Sequence, residues 1–237
     1  MKKKLIIFDK DGTLMDFDGF WVKVTECAIT ELFNKLKIDY DVSLVLHALG
    51  LKNGVTSIDG VLCYGTYAQI ADVVLSKLSE KSYFLNKDIF YNQIVDCYHN
   101  NLDKGLILPT SNKLRDTLLT LKNNGVILCV VTTDNPTITE KCLNALGIND
   151  CFEIVLSDDG VMPAKPNPYC INYLCEKFNL SKTDVLMVGD TINDVKFAKN
   201  GEIECFALAK SQSNKLLLEN YADLVIDDIS DLLRVVE

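Results

Sequence analysis

The sequence predicts an α/β fold: a parallel sheet with helices on both faces, interrupted early by an all-helical insertion. Three observations carry that expectation. Short apolar runs of strand length occur at the N-terminus and through the C-terminal half of the chain. Helical patterns alternate with those runs, as parallel strands joined by crossover helices require. From about residue 17 to residue 105 the alternation stops, and only helical spacing is found.

Taken in order, "KLIIF" (4–8), "VILCVV" (126–131), "FEIVL" (152–156), "DVLMV" (184–188), "EIECFAL" (202–208) and "DLVID" (223–227) read as buried strands. Helices are expected near 112–123, 136–146, 168–178 and 191–199. Leu114, Leu118 and Leu121 fall on one helical face, and "NNG" at 123–125 ends that helix. In the insertion, Trp21, Val24, Ala28, Leu32 and Leu36 recur at spacings of three and four, as do Tyr67, Ile70, Val74 and Leu78. A further helix is expected over 87–100. Between them, "GLKNGVTSIDGVLCYG" carries glycines 50, 54, 60 and 65 and reads as a mobile loop. The expected division is therefore an α/β domain over 1–16 and 106–237, with a helical domain over 17–105. The insertion has the size of a small domain.

The chain has 237 residues, of which 48% are apolar and 24% charged, so it can bury a real core as an ordinary globular protein. Its net charge is -9, and "KKK" at 2–4 is the one basic block. Nucleic acid and an anionic membrane are thus not expected as partners, and any anion must be handled at a local site. The start "MKKKLIIF" imitates a secretory signal, but the apolar run stops at Asp9, short of the roughly 7–15 residues such a segment needs. No run approaches the roughly 20 apolar residues of a membrane span. The nine cysteines are scattered without CxxC spacing, and Cys170 and Cys175 have no histidine nearby, so zinc is not expected. Cys129 lies in an apolar run, where free cysteine serves as a small hydrophobe. The expected compartment is a reducing cytoplasm.

Ligands of open parallel sheets bind beyond the carboxyl ends of the strands. Four features fall there: Asp9 and Asp11 after the first strand, Thr132, Thr133 and Asp134 after the second, "AKPNP" (164–168) after the third, and "GDTIND" (189–194) after the fourth. The chemistry they suggest is phosphoryl transfer through a carboxylate nucleophile. Asp9 would attack phosphorus. Two anions repel, so a divalent cation is needed, and oxygen ligands from Asp9, Asp190 and a backbone carbonyl suit Mg²⁺. The hydroxyl and N–H of Thr132 are expected to hold phosphate oxygens, with Lys165 as a point cation. Asp11 would protonate the departing alkoxide and later deprotonate water. Gly12 lets the backbone turn so that both carboxylates reach one centre.

Each motif alone has a structural explanation: a turn for "DKDGT", a helix cap for "GDTIND", a loop breaker for "AKPNP". Their order and their common place at strand ends favour function. His47 and His99 both lie in the insertion, with His47 expected on an apolar helix face, and no serine sits in a nucleophile elbow. Phe17 and Trp21 are expected to pack between helices rather than line a pocket, and "TDNP" at 133–136 reads as a helix cap.

"DKDGTL", the run ending in Thr132, Lys165 in "AKPNP" and "GDTIND" resemble, in order and spacing, the four motifs of the haloacid dehalogenase (HAD) superfamily. The resemblance covers the core, and the insertion resembles that superfamily's C1 cap, in the branch of phosphoglycolate phosphatase and β-phosphoglucomutase. It implies a Rossmann-like core with a helical cap, and a phosphatase acting on a small phosphorylated metabolite. It also implies Asp9 as nucleophile, Asp11 as acid/base, Thr132, Thr133 and Lys165 as phosphate binders, and Mg²⁺ on Asp9, the Asp11 carbonyl and Asp190. Asp194 would support that centre and orient Lys165. A sugar phosphomutase is the nearest alternative, and a phosphoacceptor signalling module a more distant one. Phe17, where relatives often have serine, and Lys10 between the two aspartates depart from the usual pattern.

Overall fold

The computed structural model describes residues 3–57 and 59–235. The chain opens with β1 (Leu5–Phe8). A π-helical turn at Asp18–Val22 leads into α1 (Lys23–Leu36), α2 (Val42–Ala48), the two-residue strands β2 (Leu51–Lys52) and β3 (Val55–Thr56), α3 (Val61–Tyr64), α4 (Tyr67–Ser79) and α5 (Lys87–Asn100). Strand–helix alternation follows through α6 (Leu114–Asn123), β4 (Ile127–Val131), α7 (Pro136–Ala145), β5 (Ile154–Leu156), α8 (Tyr169–Phe178), β6 (Val185–Gly189), α9 (Ile192–Asn200), β7 (Glu204–Leu208), α10 (Gln212–Leu218), β8 (Leu224–Ile226) and α11 (Leu232–Val235). Residues up to Asp16 and from Leu108 onward form one compact unit, and Phe17–Ile107 forms the other.

The first unit is built on a six-stranded parallel sheet in the order β5-β4-β1-β6-β7-β8. In the central strand Leu5 pairs with Ile127 and Val185, and Phe8 with Val130 and Val188. Successive side chains point to opposite faces, and helices cover both. Ile6 and Phe8 join Leu128, Val130, Leu186, Val188, Leu114 and Leu118 in one core. Ile7 lies in register with Cys129 and Met187, and Met187 with Cys205, giving a second buried row. This is why the strand reads as an unbroken apolar run, and why two cysteines sit in it as small hydrophobes. After β1 the chain fills the sheet toward β5, then returns to β1's other edge and fills toward β8. The order therefore reverses at β1, where open α/β sheets form their binding crevice.

The inserted unit packs its helices on aromatic side chains. Trp21 is buried, edge-on to Phe20 at 5.0 Å and 6.2 Å from Tyr98. Tyr98, fully buried, donates from its hydroxyl to Thr25 Oγ1 at 3.2 Å.

Two expectations fail in this unit. The glycine-rich segment is more than a loop: β2 and β3 within it form a hairpin, with Asn53 (φ 53°) and Gly54 (φ 76°) both left-handed at its tip. An Asn-Gly pair favours that turn because it matches strand twist. The hairpin is tied down by Asp18, whose Oδ1 accepts from Thr56 N at 3.3 Å and Thr56 Oγ1 at 2.5 Å. His47 is exposed in the last turn of α2 rather than set on an apolar face; the helix buries Val45 instead. Among the described residues no helix is long and apolar enough to cross a membrane.

The core predicts its own mutational cost. Leu118 is 0% exposed within the sheet's main cluster, whereas Leu216 is 58% exposed on α10. Leu118→Ala is expected to destabilise the first unit by about 2–5 kcal/mol through lost burial and a residual cavity. Leu216→Ala should change it by less than about 0.5 kcal/mol. Urea denaturation followed by circular dichroism checks both, and equal midpoint shifts would contradict the core assignment.

Candidate active site

Asp9 is the first residue past β1, and its N–H donates to Val188 O at 2.9 Å, which prolongs the sheet register by one residue. The chain then folds back: Leu14 N and Met15 N both donate to Lys10 O (2.9 and 3.0 Å), and Gly12 N to Met15 O (2.7 Å). Gly12 has φ +85°, and a Cβ there would lie 2.0 Å from Asp190 Oδ2. Glycine is thus required twice, for the left-handed turn and for clearance of the neighbouring loop.

Asp190 follows β6 directly, and its Oδ1 accepts from Thr13 Oγ1 at 2.8 Å. One helical turn on, Asp194 Oδ2 accepts from Thr191 N (3.1 Å) and Thr191 Oγ1 (2.6 Å), closing a capping box on α9. Lys165 arrives from the loop between β5 and α8. Its ammonium bridges Asp9 Oδ1 at 2.5 Å and Asp194 Oδ1 at 2.6 Å. That loop is pinned by Asn193 Nδ2 to Lys165 O (3.4 Å) and Asn200 Nδ2 to Pro166 O (2.9 Å). Asp9, Asp11, Lys165, Asp190 and Asp194 therefore gather at the sheet's switch point, with Thr132 and Thr133 at the adjoining end of β4.

Crowding of charge dominates the electrostatics. Carboxylate oxygens of Asp9, Asp190 and Asp194 lie within 4.8 Å of one another. Burial pushes Asp9 up to about 7; Lys165 opposes this, while Asp194 and Asp11 add to it. Asp190 is likewise raised well above the ordinary carboxylate range, by burial and then by Asp9 and Asp194, and the Thr13 hydrogen bond only partly offsets that. Burial alone would lower Lys165, but Asp194 and Asp9 outweigh it and hold the ammonium above the ordinary lysine value.

Two buried carboxylates, Asp9 and Asp194, and the half-buried Asp190 face one ammonium, which leaves an excess of negative charge where little water screens it. A hard divalent cation fits that donor set. Asp9 and Asp190 are the side chains suited to hold it, because both oxygens of Asp194 are already engaged by Lys165 and Thr191.

The structure also corrects the sequence reading. The N–H of Thr132 donates to Leu156 O at 3.0 Å as a rung between β4 and β5, so it is not a phosphate donor. The Thr132 hydroxyl accepts from Asp134 N at 3.2 Å. The cap of α7 is Asn135, whose side chain accepts from Ile138 N, while Asp134 is buried and paired with Lys10 at 3.0 Å. Lys10 itself is 0% exposed and donates to Asp11 Oδ1 at 2.6 Å. Local motifs give no sign of this bridge. Only the register of β1 on β4, Phe8 against Val130, brings Lys10 beside the loop that carries Asp134.

Residues 3–201 match the family model of haloacid dehalogenase-like hydrolases. A phosphoglycolate phosphatase of Vibrio cholerae is 30% identical over 242 residues, covering 98% of this chain and 96% of its own. Among solved structures, a protein of Haemophilus somnus provisionally named a phosphoglycolate phosphatase matches with TM-score 0.75 and 25% identity, over 100% of this chain and 99% of its own. A Thermotoga maritima protein provisionally named a β-phosphoglucomutase has TM-score 0.68 and 19% identity, over 98% and 97% of the two chains, a likeness of fold.

The crowded carboxylates predict a linked response to pH and cation. In the metal-free protein Asp9 titrates near 7 against an ordinary 3.8, so its ionisation opposes folding. The stability it contributes is complete below about pH 4 and is lost as pH rises through about 7. Mg²⁺ should raise the unfolding temperature, and by more at about pH 7.5 than at about pH 5, where protons compete for the same oxygens. Calorimetric scans with Mg²⁺ and with EDTA test this. A shift independent of pH, or none, would remove the cation from these carboxylates.

Proposed function

The chain belongs to the haloacid dehalogenase-like hydrolase family, and from that premise we propose a Mg²⁺-dependent phosphatase that hydrolyses a small phosphorylated metabolite of the phosphoglycolate kind through an aspartyl-phosphate on Asp9. The observation that carries this reading is the Lys165 ammonium held between Asp9 and Asp194 at the switch point, with Asp190 beside them. Similarity to phosphoglycolate phosphatases over nearly the whole chain supports the substrate class. The division into a HAD-like core and a C1-type cap belongs to the same proposal.

In the first step a carboxylate oxygen of Asp9 attacks phosphorus, the bond from phosphorus to the alcohol oxygen breaks, and Asp11 gives that oxygen its proton. In the second, Asp11 takes a proton from water as the water oxygen attacks phosphorus; the bond from phosphorus to the Asp9 oxygen breaks, the carboxylate is restored and inorganic phosphate leaves. Lys165 stabilises charge on the phosphoryl oxygens while keeping Asp9 aligned, and the Thr132 hydroxyl and Thr133 are suited to the same oxygens. Bound Mg²⁺ neutralises charge, so that a carboxylate can approach a phosphate dianion.

Phosphate release from 2-phosphoglycolate, sugar phosphates and nucleoside monophosphates, with and without Mg²⁺, tests the proposal. Metal-dependent release from one class is expected, and Asp9→Asn should lower it by on the order of 10³-fold or more while the fold is retained. Near-full activity in Asp9→Asn would overturn the nucleophile assignment. An isomerised sugar phosphate in place of free phosphate would make the enzyme a mutase.

A further inference from the structure

Lysine is almost never fully buried unless it is paired, and Lys10 is 0% exposed. Its ammonium donates to Asp11 Oδ1 at 2.6 Å and contacts Asp134 Oδ2 at 3.0 Å. Asp134 is anchored on three further sides. Its Oδ1 accepts from Asn135 N (2.8 Å), its carbonyl accepts from Asp158 N (2.8 Å), and its N–H donates to Thr132 Oγ1 (3.2 Å). A chain of buried polar contacts thus runs from Asp11 through Lys10 and Asp134 to the Thr132 hydroxyl, from the turn after β1 to the loop after β4. Asp11 sits in the turn after β1 and is half-buried, whereas Lys10 is fully buried. Lys10 cannot shift without leaving Asp134.

We infer that Lys10 is a positioning residue: clamped by Asp134, its buried ammonium holds the Asp11 carboxyl in the orientation from which a proton reaches the leaving-group oxygen. The inference rests on the proposed role of Asp11 as acid. The Thr132 link places the same clamp against a phosphate-binding hydroxyl, so the acid is set relative to the phosphoryl group rather than to the turn alone. Lys165 performs the parallel task for Asp9, tying it to Asp194 at the start of α9.

A clamp on the acid predicts that the first step, read by kcat/KM, slows only where the leaving group needs a proton; the second step, in which Asp11 takes a proton from water, is common to every substrate. Lys10→Met removes the clamp but orphans two carboxylates, so Lys10→Met/Asp134→Asn, which removes both partners, is made beside it. Both are compared with wild type on p-nitrophenyl phosphate, whose phenolate leaves unprotonated, and on the alkyl phosphate that wild type turns over best. General acid help is worth about 10²–10⁴-fold, so the folded variants should lose at least about tenfold more kcat/KM on the alkyl ester than on the aryl ester. Asp11→Asn is the control for the underlying reading. If Asp11→Asn lacks leaving-group selectivity, Asp11 is not the acid and the role of Lys10 falls with it. If Asp11→Asn is selective but the Lys10 variants lose kcat/KM equally on both substrates, Lys10 is structural and the inference alone is overturned.

Discussion

Three carboxylates packed at the end of a sheet repel one another, and the structure is arranged around that repulsion. Asp9, Asp190 and Asp194 bring oxygens within 4.8 Å at positions where little water can screen them. The Lys165 ammonium counters two of the three, and for such a buried group loss of one partner typically costs about 3–5 kcal/mol. Everything near it serves to hold that one cation in place. Asn193 and Asn200 fix its loop, and Thr191 takes the far oxygen of Asp194. Asp190 accepts a hydrogen bond from the Thr13 hydroxyl, which only partly offsets its burial and its two acidic neighbours, so it is a carboxylate suited to a cation.

The sheet makes this density possible by reversing its order at β1. Loops after β1, β4 and β6 then open onto one crevice, so residues far apart in sequence need no long side chains to meet. Close approach is bought with glycine. A Cβ at Gly12 would strike Asp190, and one at Gly189 would lie 2.4 Å from Asp194 Cβ. The central strand itself contributes no chemistry, but its register on both neighbours sets where Asp9 and Lys10 stand.

This division explains what was legible in the sequence. The strands were visible because each is buried on both faces and so forms an unbroken apolar run. Asp9, Asp11, Lys165 and Asp190 are legible as candidates because each stands in a short motif, and the motifs fall in order at the ends of strands. Contacts set by register were not visible. The N–H of Thr132 is spent on Leu156 across β4 and β5, and Lys10 finds Asp134 only because β1 lies against β4. The hairpin over β2 and β3 was missed for another reason: two-residue strands are too short to show alternation, although the Asn-Gly turn at its tip carried the signal. His47 was misplaced because spacing of apolar residues marks a helix more firmly than it marks which face is covered.

Two buried lysines now flank β1, and their pairing has a consequence for binding. Lys165 ties Asp9 to Asp194 on the β6 side, and Lys10 ties Asp11 to Asp134 on the β4 side. With Asp190 included, five carboxylates share two ammonium groups in this region, so the site without a bound cation is negative. A phosphate dianion entering it meets repulsion that Lys165 alone does not cancel, because that ammonium is already committed to Asp9 and Asp194. In the proposed reaction, cation and phosphate must therefore favour each other's binding, each raising the other's affinity by the same factor. The acidic crowding that destabilises the empty site is the feature that makes it selective for a substrate arriving with a divalent cation in place.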